Sequence, residues 1–211
     1  MKRADGKEHA DVCGGENGCS AIDADTNYMV EPGMSAPAGG RVLGVDPGLA
    51  ITGWAVLAGD AHHPRMLATG VLRTRPREVR AVRLHNIARG LAALIAEHAP
   101  AEVAVEQQFV AKNVRSAMAI GEARAAVLIA AAGAALPVFE YAPTVVKESV
   151  TGYGAAPKEQ VQAMIMLQLE LDEPPSPLDV SDAIAIALTR LAEARLDARL
   201  AASGRPVEGV R

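Results

Sequence analysis

The fold is decided by the stretch Arg41-Val-Leu-Gly-Val-Asp-Pro-Gly48. Its apolar residues are typical of a buried strand, and the Pro-Gly pair that follows is a turn signal. Asp46 therefore stands at the end of a predicted buried strand. Because an unpaired carboxylate removed from water costs on the order of several kcal/mol, we expect Asp46 to face an open cleft, a cation or a metal ion.

The segments that follow predict an α/β protein. Short links containing Gly, Asp and Pro join the first three apolar segments, as in an antiparallel meander. Strands are predicted at 41–46, 52–57, 66–73, 101–107 and 138–141, and helices at 79–98, 113–136, 144–150, 157–171 and from 179 or 181 to about 202. Pro157 suits the first turn of its helix, and Asp179 or Ser181 suits the cap of the last one. This order predicts a mixed five-stranded sheet with helices on both faces and with the fourth strand beside the first.

Composition divides the chain into a body and two tails. Residues 1–40 are rich in Gly and acidic side chains and lack apolar periodicity, so they are predicted to be a disordered acidic tail. Residues 41–203 are predicted to form one domain, and 204–211 a short C-terminal tail. The net charge of −4 belongs to the first tail, because basic and acidic side chains balance in 41–211. A strongly basic DNA-binding footprint is absent, although a local patch suffices for binding.

Composition also predicts the compartment. The longest uncharged apolar run, 125–136, is too short to span a bilayer. The N-terminal segment has no charged start followed by an apolar stretch, so a secretory signal is not expected. Both cysteines, Cys13 and Cys19, lie in the first tail, so no disulfide is expected in the body. We therefore expect a cytoplasmic protein that does not bind membranes.

Three more acidic residues are candidates for a site with Asp46. Glu106 ends the strand predicted next to the first strand, and Asp179 and Asp182 are three residues apart at the start of the last helix, so they share one face. Carboxylates at such range raise one another's pKa unless a cation neutralises them. Oxygen ligands favour Mg²⁺ or Mn²⁺, and two such ions about 4 Å apart would activate water for phosphodiester cleavage and stabilise the leaving 3′ oxygen.

Each acid has a simpler interpretation when it is taken alone. Asp46-Pro-Gly also fits a plain turn, and Asp179 also fits a helix cap. Glu106 and Asp182 resist this interpretation, because both adjoin apolar runs with no structural need for charge. The metal-site hypothesis therefore depends on the ordered set rather than on any single residue.

Several motifs, in order and at matching spacing, resemble the RuvC family of bacterial Holliday-junction resolvases. The matching segments are 42–48 with Thr52-Gly53, 105–113, 116–117, 121–124, 139–143, 146–147, 150–154, 158–162 and 179–183. The resemblance covers roughly 41–195. It implies a ribonuclease-H-like fold, a homodimer and Mg²⁺-dependent paired nicking of four-way DNA junctions in recombination and repair. It also implies cooperation with the RuvA–RuvB branch-migration complex.

The resemblance also assigns roles to residues. It places the catalytic and metal-binding acids at Asp46, Glu106, Asp179 and Asp182. It adds Lys147 and Lys158 as basic residues near the scissile phosphate, and Phe109 as a side chain that stacks on junction bases. For Phe109, packing as a lid or core aromatic is the alternative.

Some positions depart from the family pattern, and none of them is a catalytic acid. Gly is commoner at Ala55 and Ala125, Gln at Glu122 and His at Ala163, and Pro157 replaces an acidic or polar residue. An acid at Glu122 near a DNA path is expected to weaken phosphate contacts or to shift sequence preference.

Further basic residues are candidates for DNA contact. Lys112, Asn113 and Arg115 stand at the start of the long helix, where its amides and these side chains would hold a phosphate. A solvated helix face is the alternative. Arg124 fits a solvated helix face better. The densest basic cluster is Arg73, Arg75, Arg77, Arg80 and Arg83. This cluster fits contact with a DNA arm and a purely solubilising role equally well.

The helix within 113–136 is apolar nearly all round, which predicts burial on more than one face. One face would cover the sheet and the other would meet a second copy across a two-fold axis; a fully internal helix in a monomer is the alternative. Two rival functions are also open. One is a single-lobe phosphotransferase of the actin–sugar-kinase type, which would need a second lobe, and the other is a non-catalytic DNA-binding module.

Overall fold

The computed structural model describes residues 40–107 and 114–202, with side chains described for 40–107 and 116–196. Five strands and five helices are present in this part of the chain. They are β1 (Val42–Asp46), β2 (Ile51–Asp60), β3 (His63–Arg73), α1 (Arg80–His98), β4 (Glu102–Glu106), α2 (Val114–Gly133), β5 (Val138–Tyr141), α3 (Pro143–Thr151), α4 (Lys158–Leu169) and α5 (Leu178–Ala202). The predicted tails, 1–40 and 204–211, lie outside the described residues apart from Gly40.

The strands form one mixed sheet in the order β3-β2-β1-β4-β5. β1 pairs antiparallel with β2 and parallel with β4, and β4 pairs parallel with β5. The predicted mixed five-stranded sheet is confirmed, including the placement of β4 beside β1. The ends of β1, β4, β5 and β3 therefore meet at one edge of the sheet, together with the start of β2. We call this the carboxyl edge.

Residues that alternate along the strands build two separate cores. Leu43 and Val45 belong to the core that includes buried residues of α1 and α2. Val42 and Ala104 belong to the core that includes buried residues of α3, α4 and α5. The predicted helices on both faces are confirmed, and every second residue of the central strands faces α5.

Two strand glycines allow α5 to lie directly on β1 and β2. A Cβ atom at Gly44 would lie 2.3 Å from the carbonyl oxygen of Ala183, and one at Gly53 would lie 2.0 Å from that of Asp179. No side chain fits at these distances, because real Cβ atoms do not approach another heavy atom so closely. The absence of a side chain at both positions therefore brings the first turns of α5 against the sheet.

Several predicted boundaries are wrong, and three of them bear on the site or the hairpin beside it. β2 and β3 extend to a tight turn in which Asp60 pairs with His63, because the Asp60 side chain accepts a hydrogen bond from the His62 amide at 2.7 Å. α5 begins at Leu178, so Asp179 lies inside the first turn instead of capping it. Ser181 is also not the cap, since its hydroxyl donates to the carbonyl of Pro175 at 2.9 Å.

Pro157 is the residue before α4 and not in its first turn. Its fixed φ, here −68°, is compatible with that position, where the backbone is still extended. The departure from the family pattern at Pro157 is thus accommodated at the boundary of the helix that carries Lys158.

Candidate active site

The four predicted acidic residues come from three elements that meet at the carboxyl edge. Asp46 ends β1 and Glu106 ends β4, while Asp179 and Asp182 lie in the first turns of α5. Asp46 follows Gly44 by two residues and Glu106 follows Ala104 by two, so both carboxylates are on the α5 side of the sheet.

The electrostatics of Asp46 show that the structure brings these four acids together. Burial raises the pKa of Asp46 from 3.8 to about 7, and the negative charges of Asp182, Glu106 and Asp179 add to the rise. The Lys158 ammonium opposes it. Near neutral pH, Asp46 therefore carries a proton much of the time unless further positive charge arrives.

Glu106 is in a similar environment. Burial is the first cause of its raised pKa, and the charge of Asp182 adds to the rise, while Lys158 and Lys147 act in the opposite direction. Neither Asp46 nor Glu106 has a hydrogen bond or ion pair from its side chain to any other described residue. Among the described residues, the acids of two central strands thus have no direct hydrogen-bond or ion-pair partner at the same edge.

A second acid on β4 provides an internal comparison. Glu102 lies four residues before Glu106, on the same side of the strand, and its two carboxylate oxygens each lie 3.0 Å from a guanidinium nitrogen of Arg190 in α5. The protein therefore neutralises the acid at one end of β4 with a forked ion pair. Since the described residues offer Glu106 no such partner, we interpret it as a group kept for a ligand.

The two predicted lysines border the acids. Lys158, at the start of α4, donates a hydrogen bond from Nζ to Oδ2 of Asp182 at 2.9 Å. That bond, with the charges of Asp46 and Glu106, raises the pKa of Lys158. Lys147 in α3 is half-buried and close enough to lower the pKa of Glu106. Both cations are therefore part of the same site.

The donor set fits a hard divalent cation in its chemistry. All four side chains offer carboxylate oxygens, the ligands that Mg²⁺ and Mn²⁺ prefer. In residues 40–107 and 114–202, no three acidic, histidine or cysteine side chains already stand at the spacing of a complete metal site. Binding an ion would therefore require these side chains to move together, with Asp182 exchanging its bond to Lys158 for the ion.

Some predicted DNA-binding residues are outside the described part of the chain. Phe109, Lys112 and Asn113 fall in 108–113, and the side chain of Arg115 is not described. Their predicted roles stay predictions.

The structure corrects one prediction for α2 and adds an observation to a second. Arg124 was expected on a solvated face, but it forms an ion pair with Glu140 of β5. Glu122 forms an ion pair with Arg80 of α1, so its charge is already compensated within the domain. The effect of the Glu122 departure on DNA is therefore expected to be small.

Sequence reasoning missed the residues that position the site. Gly44 and Gly53 were part of recognised motifs but had no role, and the pair Glu102–Arg190 joins positions that are 88 residues apart. A glycine inside an apolar strand is a signal of close backbone approach, so the two glycines were detectable. The ion pair had no sequence signal.

This chain resembles known proteins over most of its length. Residues 42–190 match the family model for crossover junction endodeoxyribonuclease RuvC. The chain is 46% identical over 151 residues to RuvC of Chlorobium phaeovibrioides, covering 71% of this chain and 80% of that protein. It is 43% identical over 159 residues to RuvC of Natranaerobius thermophilus, covering 75% and 99%.

A solved structure extends the match to three dimensions. The structure of Thermus thermophilus RuvC in complex with a Holliday junction substrate superposes with a TM-score of 0.72 at 38% identity, covering 75% of this chain and 96% of that chain. The sheet is thus that of a ribonuclease-H-like fold. Since the family model spans most of the chain and the relatives match over most of their own length, the chain belongs to the RuvC family.

Proposed function

We propose that this protein is a structure-selective endodeoxyribonuclease that resolves four-way DNA junctions by paired symmetric nicks, in recombination and DNA repair. The observation that carries the proposal is the pair Asp46 and Glu106, two partly buried carboxylates without a partner among the described residues, at the edge where α5 adds Asp179 and Asp182. A scaffold acid would be paired, as Glu102 is.

We propose that divalent ions take part in the reaction, namely Mg²⁺, with Mn²⁺ as a substitute and two ions per site. Asp46, Glu106, Asp179 and Asp182 would hold them. When bound, such ions activate a water molecule and stabilise the leaving oxygen in phosphodiester hydrolysis. The raised pKa values of Asp46 and Glu106 support this proposal, because ligation requires the deprotonated carboxylates and replaces the mutual repulsion with attraction.

Lys158 and Lys147 supply the positive charge on the substrate side of the site. The Lys158 side chain is 57% exposed although it bonds to Asp182. An ammonium group that is both held and accessible can contact a phosphate when the Asp182 carboxylate reorients to bind a divalent ion. We propose that these two lysines act on the scissile phosphate in this way.

A homodimer is the proposed assembly. α2 buries Ala123, Val127 and Ala131 against the domain, but Met118 and Ile129 are 57% and 67% exposed. A second copy on this apolar strip would give a two-fold pair of sites, which suits a junction with two equivalent strands to cut. Cooperation with the RuvA–RuvB complex is proposed from family membership alone.

α2 also bears on whether the protein enters a membrane. Its segment Ser116–Gly133 is long and apolar enough to cross a bilayer by length and composition. Glu122 and Arg124, in the middle of that segment, are both paired with other elements of the domain. We therefore interpret α2 as a domain helix with one exposed apolar face, and we propose a cytoplasmic protein.

The rival functions have less support. A phosphotransferase of the actin–sugar-kinase type needs two lobes, and residues 40–107 and 114–202 contain one sheet. A pure DNA-binding module gains nothing from four acids beside phosphates, since like charges repel.

The test is incubation of the purified protein with a synthetic mobile four-way junction, with Mg²⁺ or with EDTA. We expect symmetric paired nicks with Mg²⁺ only, and no cutting of a linear duplex of the same sequence. The Asp46→Asn variant should bind the junction with unchanged or tighter affinity and fail to cut it. Normal cutting by this variant would show that Asp46 is not a metal ligand. Equal cutting of the linear duplex by the wild-type protein would refute junction selectivity.

A further inference from the structure

We propose that Arg73, Arg75 and Arg77 form a phosphate-binding surface, the arginine edge, which holds the DNA backbone of a junction arm beside the cut strand. This inference rests on the proposed function and adds to it a second contact region, separate from the acids and from Lys147 and Lys158.

The register of the sheet places the arginine edge close to the acids. Asp46 pairs with Gly53 on β2, and Gly53 pairs with Val71 on β3. Neighbouring strands are about 4.8 Å apart, so Val71 is roughly 10 Å from Asp46 across the sheet. Arg73 is two residues further along β3, at the carboxyl edge. That separation corresponds to a few nucleotides of a DNA strand, at about 3.4 Å per nucleotide.

The three guanidinium groups differ from other arginines of the domain in having no partner among the described residues. Arg80 pairs with Glu122, Arg124 with Glu140 and Arg190 with Glu102. The side chains of the arginine edge are exposed, and none of them has a hydrogen bond or ion pair within the described ranges. The adjacent acid, Glu78, accepts its hydrogen bond from the backbone amide of Arg75 instead.

The backbone below these arginines is firmly attached to the loop that follows Asp46. The Thr74 amide donates to the carbonyl of Ala50 at 3.1 Å, and the Thr74 hydroxyl donates to that of Leu49 at 2.6 Å. Arg83 of α1 donates to the Thr74 hydroxyl at 2.8 Å and to the Leu49 carbonyl at 3.1 Å. Arg83 therefore has a structural role, and the backbone that carries the arginine edge is tied to the loop after Asp46.

A groove lies beside Arg73. Its volume is about 360 Å³, and it lies between β3 and the segment that leads into α5. Its lining residues are Thr69, Gly70, Val71, Arg73, Ser176, Pro177 and Val180. None of the four acids lines the groove, but Val180 directly follows Asp179, so the groove borders the turn of α5 that carries this acid. A phosphate backbone that enters this groove meets the Arg73 cation, and such a backbone contact does not depend on the DNA sequence.

The experiment replaces all three residues together, Arg73→Gln, Arg75→Gln and Arg77→Gln, in the Asp46→Asn background so that the junction stays intact. Affinity for a synthetic four-way junction is measured at several salt concentrations. Each cation that no longer neutralises a phosphate reduces the slope of log K against log salt by about 0.9. We expect the slope to fall by about 2 to 3 and the affinity at moderate salt to fall at least about tenfold.

The matched control removes the same charge elsewhere, with Arg65→Gln, Arg89→Gln and Arg195→Gln in the same background. Arg65 lies in the half of β3 away from the carboxyl edge, and Arg89 and Arg195 are well along α1 and α5. The control should retain the parent slope within about 0.5, because no phosphate contact is proposed there. Thermal unfolding of the arginine-edge variant should match that of its parent, since its three side chains make no bonds within the described domain.

The possible results separate this inference from the proposed function. An unchanged slope in the arginine-edge variant overturns the inference, and so does an equal decrease in the control variant, which would indicate only general charge. The binding measurement does not need cleavage. Failure of the wild-type protein to cut junctions would therefore refute the nuclease proposal while the slope still decides whether the arginine edge binds DNA.

Discussion

At the scale of single residues, Asp46 combines partial burial with three acidic neighbours, and the result is a carboxyl group with a pKa of about 7. The folded protein binds this proton more tightly than the unfolded chain does, whose aspartates have a pKa near 3.8. The stability contributed by protonated Asp46 is therefore fully present below about pH 4 and is lost as the pH rises to about 7. Above that range the ionised group destabilises the metal-free fold.

The Asp46→Asn variant should accordingly be more stable than wild type at pH 8 in EDTA, because the amide cannot ionise. Each factor of ten in proton affinity corresponds to about 1.4 kcal/mol, so we expect a gain on the order of 1 to 4 kcal/mol that shrinks towards pH 5. Urea denaturation at both pH values measures it. Asp172→Asn, at an exposed position, is the control and should show no such dependence. An Asp46→Asn variant less stable than wild type at pH 8 would contradict the predicted pH dependence.

At the scale of elements, α5 is fixed against the sheet at two points. Asp182 lies by the carboxyl edge, and Arg190 lies eight residues later, which is about 12 Å along a helix. On β4, Glu106 and Glu102 are four residues apart, which is about 13 Å along a strand. Since these lengths match, the pair Arg190–Glu102 sets the position of α5 along the sheet at which Asp182 faces Glu106.

Arg190 is 6% exposed, contacts Glu193 at 3.2 Å and stacks on the Phe139 ring with its central carbon 3.6 Å from the ring centroid. Arg190→Met leaves the largely buried Glu102 without its partner and should cost about 3 to 5 kcal/mol of unfolding free energy. Adding Glu102→Gln should restore part of that stability, because the unpaired charge is gone. Urea denaturation of the two single variants and the double variant measures this coupling. An Arg190→Met variant as stable as wild type would show that the ion pair does not hold α5.

The elements also show what sequence can predict. Period-two and helical patterns predicted every strand and helix of the described ranges, because the spacing of apolar residues along the chain marks the buried face of each element. The first residue of α5 was predicted wrongly, because Ser181 bonds to the Pro175 carbonyl, which the fold of the preceding loop places beside it. The β2–β3 hairpin was predicted too short although its signal is local, since Asp60 accepts a hydrogen bond from the His62 amide two residues later. The acids at the strand ends were predictable as a set. Gly53 was detectable as a position of close backbone approach, but the element that approaches it, α5, was not.

At the scale of the whole molecule, the exposed strip of α2 is the surface on which the proposed dimer depends. Ile129→Glu places a charge within an apolar contact and should convert the dimer to a monomer, a shift measured by analytical ultracentrifugation. The isolated domain should keep its stability, since Ile129 is 67% exposed. Glu97→Gln, at a solvent-exposed position on α1, is a control that should stay dimeric. A wild-type protein that sediments as a monomer at micromolar concentration would contradict the proposed assembly.

The close contact at Gly53 limits how this sheet can change. Alanine there would add one methyl group, which is smaller than any carboxylate. That methyl group would clash with the backbone of Asp179 and push α5 away from the sheet. All four acids would still be present in such a protein, but two of them would be carried away from the other two. Checking only that the four acids are present would therefore wrongly predict an intact site in this variant. The change that disrupts the site would be the loss of a space no larger than a hydrogen atom, and not the loss of a carboxylate.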